Sequence, residues 1–305
     1  MRYHSFDVVV VDNAPENDDS RQIANSLSPR LRLKYVQEPT PGLSYARNKG
    51  IESASYGIVV FIDDDERVHP DWLTALAREF CKDESVGVVS GLILPAELRT
   101  GAQLQFEQHG GHSKGRGFHR CVFDKRYLSE QQSALYPLPP FGAGGNMAFR
   151  VQVLKDIGGF DVALGSGTPA GAGEDTAAFA EALLAGWVMV YAPAAIVWHK
   201  HRADDADLDR QLVGYATGLG AFYAATVIRD PRRVIQLATL ARHAIYDLFD
   251  ISKRARAPEL QVDSGEQAAH LFHSPFSKLK YVLRGTVAYV AARRSARRRR
   301  RKGFS

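Results

Sequence analysis

Three consecutive aspartates follow an apolar, strand-like segment in the first third of the chain. Residues 59–62 are Val, Val, Phe and Ile, and Asp63, Asp64 and Asp65 come next. In extended backbone Asp63 and Asp65 point to one side and Asp64 to the other. Like charges this close repel each other unless a cation lies between them, and hard divalent cations prefer carboxylate and phosphate oxygens. The triplet alone fits a divalent-metal site and a solvated acidic turn before Pro70 about equally well.

A second acidic pair stands at the start of a helix-like segment. Glu174 and Asp175 precede the Ala- and Leu-rich residues 176–185, and Gly186 ends this segment. Carboxylates at a helix N-terminus often cap its first turn and interact favourably with the helix dipole. A carboxylate in a pocket can also act as a general base towards a hydroxyl. The residues alone favour the capping role.

The elements that would position these groups alternate between strand-like and helix-like segments. Continuous apolar strands that alternate with helices indicate a parallel sheet covered on both faces. In such a sheet, ligands bind beyond the carboxyl ends of the strands, where the aspartate triplet would lie. We therefore predict an α/β fold with a mostly parallel sheet. Its predicted strands include residues 6–11, 31–36, 57–62 and 86–94, and its predicted helices include 20–27, 44–54 and 71–80.

The pattern changes in the second half of the chain. Glycine and basic residues between 101 and 140 predict a long functional loop, and residues 206–228, 231–251 and 279–294 predict helices. The uncharged stretch 212–228 is slightly short for a bilayer span, so we expect a buried or interfacial helix, with a membrane span as the alternative. The predicted organisation is a catalytic domain over 1–202, a helical appendage over 203–292 that associates with membranes, and a basic tail over 293–305.

Charge and cysteine content restrict the class of protein. The net charge is +5, but residues 293–305 carry seven Arg, one Lys and no acid, which leaves −3 for residues 1–292. A basic block of this kind is typical of a solvated tail, of attachment to anionic lipid, or of nonspecific nucleic-acid binding. We expect no specific nucleic-acid partner, since residues 1–292 are net acidic. Only Cys81 and Cys121 are present and no secretory signal is recognised, so we expect a cytoplasmic protein at the inner face of the plasma membrane.

Short segments over residues 6–201 occur in a characteristic order. Any one of them is a weak signal, whereas the ordered set is specific. They are Val-Val-Asp-Asn-Ala-Pro at 10–15, Gly-Leu-Ser-Tyr-Ala-Arg-Asn-Lys-Gly at 42–50, Val-Phe-Ile-Asp-Asp-Asp at 60–65 with Pro-Asp-Trp-Leu at 70–73, Gly-Gly-Asn-Met-Ala-Phe-Arg at 144–150 with Gly-Gly-Phe-Asp at 158–161, Gly-Glu-Asp at 173–175 with Gly-Trp at 186–187, and Val-Trp-His at 197–199.

In this order the segments resemble the family-2 glycosyltransferases, whose fold is the Rossmann-like GT-A fold. The resemblance implies inverting transfer of a sugar from a nucleotide-diphosphate sugar, with a UDP-sugar as the first expectation. It also implies Mn²⁺ or Mg²⁺ as cofactor, and a glycan or a lipid-linked acceptor in cell-surface polysaccharide or glycolipid synthesis. A cation at the aspartates would neutralise the leaving diphosphate.

The resemblance also assigns roles to individual residues. Asp175 matches the general base of the family, with Glu174 beside it. The cation would be held by Asp63, Asp65 and His199. The donor would be contacted by Asp12, Asn13, Arg47, Asp63, Asp64, Gly145 and Asn146.

One departure from the family concerns the beginning of the chain. Family members have a strand and a helix before the segment that matches residues 6–11, so the resemblance implies that the first strand and most of the first helix are lacking and that a sheet edge is left unpaired. This departure keeps open a catalytically impaired sugar-nucleotide-binding module. Less favoured alternatives are a basic-tailed nucleic-acid-binding protein and a metal-dependent phosphohydrolase, which leaves the Gly-Glu-Asp segment unexplained.

Overall fold

The strands of the protein form two sheets. The computed structural model describes residues 2–108, 110–113, 116–130, 135, 141–238 and 275–302. Six strands form the larger sheet, in the order β3-β7-β5-β8-β4, and β6 also pairs with β8. The strands are β1 (Val8–Asn13), β2 (Leu33–Glu38), β3 (Ile58–Phe61), β4 (Glu66–Val68), β5 (Val86–Pro95), β6 (Cys121–Phe123), β7 (Met147–Arg150) and β8 (Val188–His199).

The larger sheet is mixed in direction. β5 and β8 pair in parallel at its centre, whereas β7 runs antiparallel to β3 and β5, and β4 and β6 run antiparallel to β8. The predicted α/β class is confirmed, but the sheet is not mostly parallel as expected. A continuous apolar strand reports burial on both faces and carries no information on strand direction.

The smaller sheet contains only β1 and β2. They pair in parallel along their whole length, from Val8 opposite Leu33 to Asn13 opposite Glu38. Within the described residues, no strand hydrogen-bonds to the second edge of β1, and no strand pairing joins the two sheets. The position of the smaller sheet relative to the larger one therefore depends on contacts other than strand pairing.

Helices cover both faces of the larger sheet. Because side chains alternate along a strand, Val88 faces a cluster with Phe149 and Phe179, while Val89 faces a cluster with Trp72 and Leu76 on the other side. The helices are α1 (Asp19–Leu27), α2 (Leu43–Ser53), α3 (Trp72–Lys82), α4 (Gly101–Gln108), α5 (Lys125–Glu130), α6 (Val151–Ile157), α7 (Glu174–Leu184), α8 (Asp205–Arg229) and α9 (Pro275–Lys302).

Part of the segment predicted as a long loop is regular. α4, β6 and α5 lie between residues 101 and 140, and α4 contributes the buried side chains of Ala102 and Phe106 to a cluster with Leu208 of α8. The short apolar stretches in this segment were hidden by the glycines and basic residues around them. The part of the predicted helix 231–251 beyond residue 238 lies outside the described residues.

The appendage packs directly against the catalytic part. α8 and α9 lie antiparallel, and Tyr289 of α9 donates a hydrogen bond to Asp161 Oδ2 at 2.7 Å. The basic block is not a separate tail, because residues 293–302 continue α9. Arginine and lysine are good helix formers, which allows a charged segment to extend a helix. The division of the chain into domains stays a prediction.

One described helix is long and apolar enough to cross a membrane. α8 has a stretch with a mean hydropathy of 1.2, and 44% of that stretch is buried inside the protein. Such values are also found in core helices of globular proteins. The contacts of α8 with α4, α7 and α9 agree with the expectation of a buried or interfacial helix.

Gly285 of α9 allows its close contact with α8. A Cβ at Gly285 would overlap the Thr217 carbonyl oxygen and lie 2.8 Å from the Ala221 nitrogen. Gly285→Ala should therefore lower the free energy of unfolding by about 1–3 kcal/mol. Gly214→Ala is the matched control on α8, because its Cβ would meet only the Gly171 oxygen at 3.9 Å; it should be neutral or stabilising by up to about 1 kcal/mol. Urea unfolding of both variants measures the difference, and equal effects would contradict the close contact.

Candidate active site

The turn after β3 brings the predicted cation ligands together. β3 ends at Phe61, and the acid turn, which we define as Asp63–Glu66, leads into β4, which pairs with the end of β8. This pairing places Glu66 opposite His199, and Oδ2 of Asp65 lies 3.4 Å from Nε2 of His199. The backbone N–H of Lys200 also donates to the Asp65 carbonyl oxygen at 3.3 Å. The aspartate triplet and the late histidine, 134 positions apart in sequence, thus lie side by side.

Arg47 joins the acid turn to the second acidic pair. Its guanidinium, whose side chain is only 5% exposed, donates from Nη1 to Glu174 Oε1 at 2.7 Å and approaches Asp63 Oδ1 from Nη2 at 3.5 Å. It also lies over the Phe160 ring. Burial opposes its charge, but Glu174, Asp63 and Asp175 raise the pKa of Arg47 above its usual range. One buried cation therefore connects α2, the acid turn and the start of α7.

The site carries more negative than positive charge. Burial, followed by repulsion from Asp63, raises the pKa of Glu66 to about 9, and burial also raises the pKa of Asp63, against the attraction of Arg47. The pKa of Glu174 is raised as well, by burial and by its neighbour Asp175. These shifts show that the carboxylates lack enough cationic partners when only protein groups are present.

The donor set of the acid turn fits a divalent cation. Asp63 and Asp65 offer carboxylate oxygens and His199 offers a ring nitrogen, and neighbouring ligands on one octahedral ion are about 3 Å apart. The separation of 3.4 Å between Asp65 and His199 is close to that spacing. Because His199 is a hydrogen-bonding neighbour, it lowers the pKa of Asp65 and keeps this carboxylate ionised. A bound cation would favour the ionised forms of Asp63 and Glu66, whose pKa values burial raises.

The acidic pair at α7 does not cap its helix. α7 begins at Glu174 and is preceded by Gly173, which has no side chain, and the structure shows no side-chain cap there. Glu174 is buried and accepts a hydrogen bond from Arg47. Oδ1 of Asp175 accepts from the Thr176 backbone N–H at 2.6 Å and from its hydroxyl at 3.3 Å. Neither residue is the N-cap of α7, although both lie in its first turn and Asp175 satisfies one backbone N–H there.

The two predicted donor-contacting residues at the end of β1 are used differently. Asp12 Oδ2 accepts a hydrogen bond from the Tyr35 hydroxyl at 2.6 Å. The amide of Asn13 donates to the carbonyl oxygens of Glu38 and Thr40, and its oxygen accepts from the Gly42 N–H at 2.8 Å. The three hydrogen bonds of Asn13 hold the loop that leads into α2. Asp12 uses Oδ2 for the hydrogen bond with Tyr35, and its Oδ1 takes no part in that bond.

The Gly-Gly-Asn segment serves the site from the inside. A Cβ at Gly145 would overlap the Glu66 carboxylate, and one at Gly144 would lie 2.6 Å from Arg47 Nη2. Asn146 has no exposed surface: it accepts from the Trp72 indole at 2.9 Å and donates to the carbonyl oxygens of Leu92 and Ala195. The two glycines leave space for the side chains of Glu66 and Arg47. Both polar atoms of the Asn146 amide are hydrogen-bonded inside the protein. Of the aspartate triplet, only Asp64 is exposed.

Several residues near the site were not singled out in the sequence. Glu66 is a fourth acid of the turn, and its position directly after the triplet was the available signal. His201 is 3% exposed, burial lowers its pKa, and its Nε2 lies 2.7 Å from Glu107 Oε1. Nitrogens of His112, His199 and His201 lie within 4.8 Å of one another. The positions of Glu107 and His112 in the sequence follow no pattern that would predict their closeness to His199 and His201.

Comparisons with known proteins bear on the same region. Residues 2–158 match the model of glycosyl transferase family 2. The glucosyl-dolichyl phosphate glucuronosyltransferase of Haloferax volcanii is 27% identical over 135 residues, which is 43% of this chain and 38% of that protein. The pre-mycofactocin glycosyltransferase of Mycobacterium tuberculosis is 24% identical over 237 residues, 75% of this chain and 44% of that protein. The chain thus spans less than half the length of these curated relatives.

A solved structure supports the fold. The mannosyltransferase PcManGT from Pyrobaculum calidifontis, in complex with GDP-Man and Mn²⁺, superimposes with a TM-score of 0.55 at 18% identity, over 93% of this chain and 77% of the other. At this identity the likeness shows the GT-A fold and no more. The fold and the matched family model, which covers half of the chain, agree with the site geometry, and the chain belongs to glycosyl transferase family 2.

Proposed function

We propose that the protein transfers a sugar from a nucleotide-diphosphate sugar to an acceptor hydroxyl with inversion, using a divalent cation, Mn²⁺ or Mg²⁺, held by Asp63, Asp65 and His199. The observation that carries this proposal is the position of Arg47, whose buried guanidinium contacts Asp63 of the acid turn and Glu174 of α7. Through it, the groups suited to a cation and the acidic pair suited to proton transfer belong to one site.

The cation, when bound, would neutralise the charge that develops on the leaving diphosphate. Arg47 holds Asp63 beside it and keeps Glu174 in place, so these two carboxylates are oriented before the donor arrives. Asp12 and exposed Asp64 are the predicted donor contacts whose side chains are accessible for that role, whereas Gly145 is buried beside Glu66. We assign Asn13 and Asn146 to supporting the donor pocket.

Asp175 is the proposed general base. Two donors from Thr176 engage its Oδ1, which leaves Oδ2 to accept the proton of the acceptor hydroxyl. As the hydroxyl oxygen bonds to the anomeric carbon, the bond from that carbon to the diphosphate breaks on the opposite side and the proton passes to Asp175. A single displacement of this kind inverts the anomeric configuration.

The family membership limits the donors and acceptors to test. A UDP-sugar is the first donor, followed by GDP- and dTDP-sugars. A glycan or a lipid-linked sugar is the proposed acceptor, and the name of the Haloferax relative, which includes a dolichyl phosphate, supports the second of these. A chain that binds a nucleotide sugar but neither transfers nor hydrolyses it would instead be an impaired binding module.

Asp65→Asn should lower the transfer rate by at least about 100-fold, because one carboxylate ligand of the cation is lost while the shape of the side chain is kept. The measurement is nucleotide release across a Mn²⁺ series, followed by mass spectrometry. Asp18→Asn, at an exposed site before α1, is the matched control and should behave as the unsubstituted protein. Normal turnover with normal metal dependence in Asp65→Asn would refute the cation site.

Asp175→Asn should reduce kcat by about 100-fold or more, because the amide cannot accept the proton. Binding of the nucleotide sugar, measured by calorimetry, should stay within a factor of two or three, since the hydrogen bonds described for Asp175 are with Thr176 and not with the residues proposed to bind the donor. Proton NMR of the product formed by the unsubstituted protein should show the inverted anomer. Loss of donor binding in the variant would show that Asp175 has a structural role instead. A product with the same anomeric configuration as the donor would exclude a single displacement.

We also propose that α9 attaches the enzyme to anionic lipid at the inner face of the plasma membrane. Leu279, Leu283 and Val287 are spaced by four residues and are 45%, 58% and 70% exposed. Seven residues after Val287 the same face continues with exposed Arg294 and then Arg298. A helix face that is apolar over one half and basic over the other suits a headgroup layer, where each basic residue adds about 1 kcal/mol.

Arg294→Ser with Arg298→Ser should weaken flotation with vesicles that contain phosphatidylserine, with little effect on neutral vesicles. Leu283→Ser should weaken vesicle binding at every salt concentration, because the apolar contribution is not screened. Arg232→Ser, an exposed arginine outside α9, is the control. A short DNA duplex serves as competitor across the same salt series. Binding to DNA without binding to anionic vesicles would contradict the membrane proposal.

A further inference from the structure

The ring of His199 begins a line of hydrogen-bonding groups that leads away from the acid turn. Its Nδ1 lies 2.8 Å from Nδ1 of His201, and Nε2 of His201 lies 2.7 Å from Oε1 of Glu107. The other ring nitrogen of His199, Nε2, faces Asp65 Oδ2 at 3.4 Å. The acid turn, the end of β8 and α4 are therefore connected through polar side-chain atoms.

The far end of this line is firmly held. The His201 ring is buried and packs edge-on against Phe106 of α4, with ring centres 4.9 Å apart. Gln103, also on α4, donates to the His201 carbonyl oxygen at 3.2 Å. A Cβ at Gly111 would overlap the Glu107 carboxylate, so the glycine leaves the space that this side chain occupies. Glu107 and His201 thus have little freedom to take other positions.

The chemistry of the groups fixes the direction of the hydrogen bonds. A carboxylate only accepts, so the proton between Glu107 and His201 lies on Nε2 of His201. When a cation takes the lone pair of His199 Nε2, in place of the contact of this atom with Asp65, the proton of the His199 ring is on Nδ1. Nδ1 of His201, 2.8 Å away, then accepts from His199, which is the arrangement that the acceptor Glu107 requires.

We propose that Glu107 and His201 are positioning residues that fix the tautomer and the ring orientation of His199, so that Nε2 is the atom offered to the cation. Metal-binding histidines usually donate their other ring N–H to a fixed acceptor, and loss of that acceptor weakens metal binding. The inference rests on the proposed function, because it requires the cation to bind beside Asp65.

A rival arrangement would place one metal ion among His112, His199 and His201. Two histidine nitrogens on one tetrahedral zinc ion, at about 2.0–2.1 Å from it, are about 3.3 Å apart. The two Nδ1 atoms are 2.8 Å apart, which is a hydrogen-bond distance. The geometry therefore favours a direct hydrogen bond between the rings.

Binding of Mn²⁺ alone, followed by the EPR signal of the free ion, tests the role in metal affinity. Glu107→Gln keeps the shape of the side chain, but its amide can donate to His201 and reverse the line, which places the proton of His199 on Nε2. We expect the Kd for Mn²⁺ to rise about 10–100-fold in Glu107→Gln and in His201→Phe. Glu97→Gln is the matched control, since Glu97 pairs with Arg99 and contacts no histidine in the described residues.

Nitrogen-15 NMR of labelled histidine in the presence of Mg²⁺ tests the tautomers directly. We expect a proton on Nδ1 of His199 and on Nε2 of His201, assigned by loss of each signal in His199→Asn and His201→Asn. A merely structural role of Glu107 would leave these tautomers unchanged in Glu107→Gln. A proton on Nε2 of His199 in the unsubstituted protein, or an unchanged Mn²⁺ affinity in both variants, would overturn the inference.

The two proposals fail in different ways. If Asp65→Asn leaves the Mn²⁺ affinity of the protein unchanged, the cation site of the proposed function is wrong, whatever the tautomers are. If Asp65→Asn weakens binding and Glu107→Gln does not, the cation site stands and the positioning role falls. In turnover, the expected signature of Glu107→Gln is a raised KM for Mn²⁺ with kcat largely retained at saturating Mn²⁺.

Discussion

The ion pairs of Arg47 are the interaction on which the site depends. A guanidinium with almost no exposed surface lies between carboxylates from two distant parts of the chain, Asp63 and Glu174. Removing one partner of a buried pair leaves an uncompensated charge in a medium of low polarity, which is far more costly than losing a surface pair. The planar fork of arginine can address two carboxylates in fixed directions, which the ammonium group of lysine does less well. α2, the acid turn and α7 are therefore held in one arrangement before any substrate is bound.

Side-chain alternation and element order were readable from the sequence. The period of two predicted Asp63 and Asp65 on one side of an extended chain, but in the structure Asp64 and Asp65 lie in a turn. The apolar residues before the triplet correctly placed it after the end of a strand. Family resemblance supplied the partners of these acids, among them His199, because no spacing rule connects residues 134 positions apart. The general base assigned to Asp175 and the donor contacts remain predictions, although the structure brings several of these residues to one place.

Other features depend on packing that a sequence does not display. The Gly-Gly-Asn segment indicated close approach to a ligand, whereas the approach in the structure is to Glu66 and Arg47, and the Asn146 amide is consumed inside the sheet. Strand direction was misjudged because burial and direction are independent. The arginine block was assigned to a tail on charge alone, but arginine has a high helix propensity and the block continues α9.

No strand pairing joins the two sheets within the described residues, and α2 makes polar contacts on the side of each. Asn13 at the end of β1 accepts from Gly42, just before α2, while Ser44 within α2 donates to the Leu164 carbonyl oxygen and Asn48 exchanges two hydrogen bonds with the backbone of Phe160. One helix of 11 residues thus carries polar contacts to both halves of the molecule. Because Arg47 lies on the same helix, the position of the β1-β2 sheet is tied through α2 to the positions of Asp63 and Glu174.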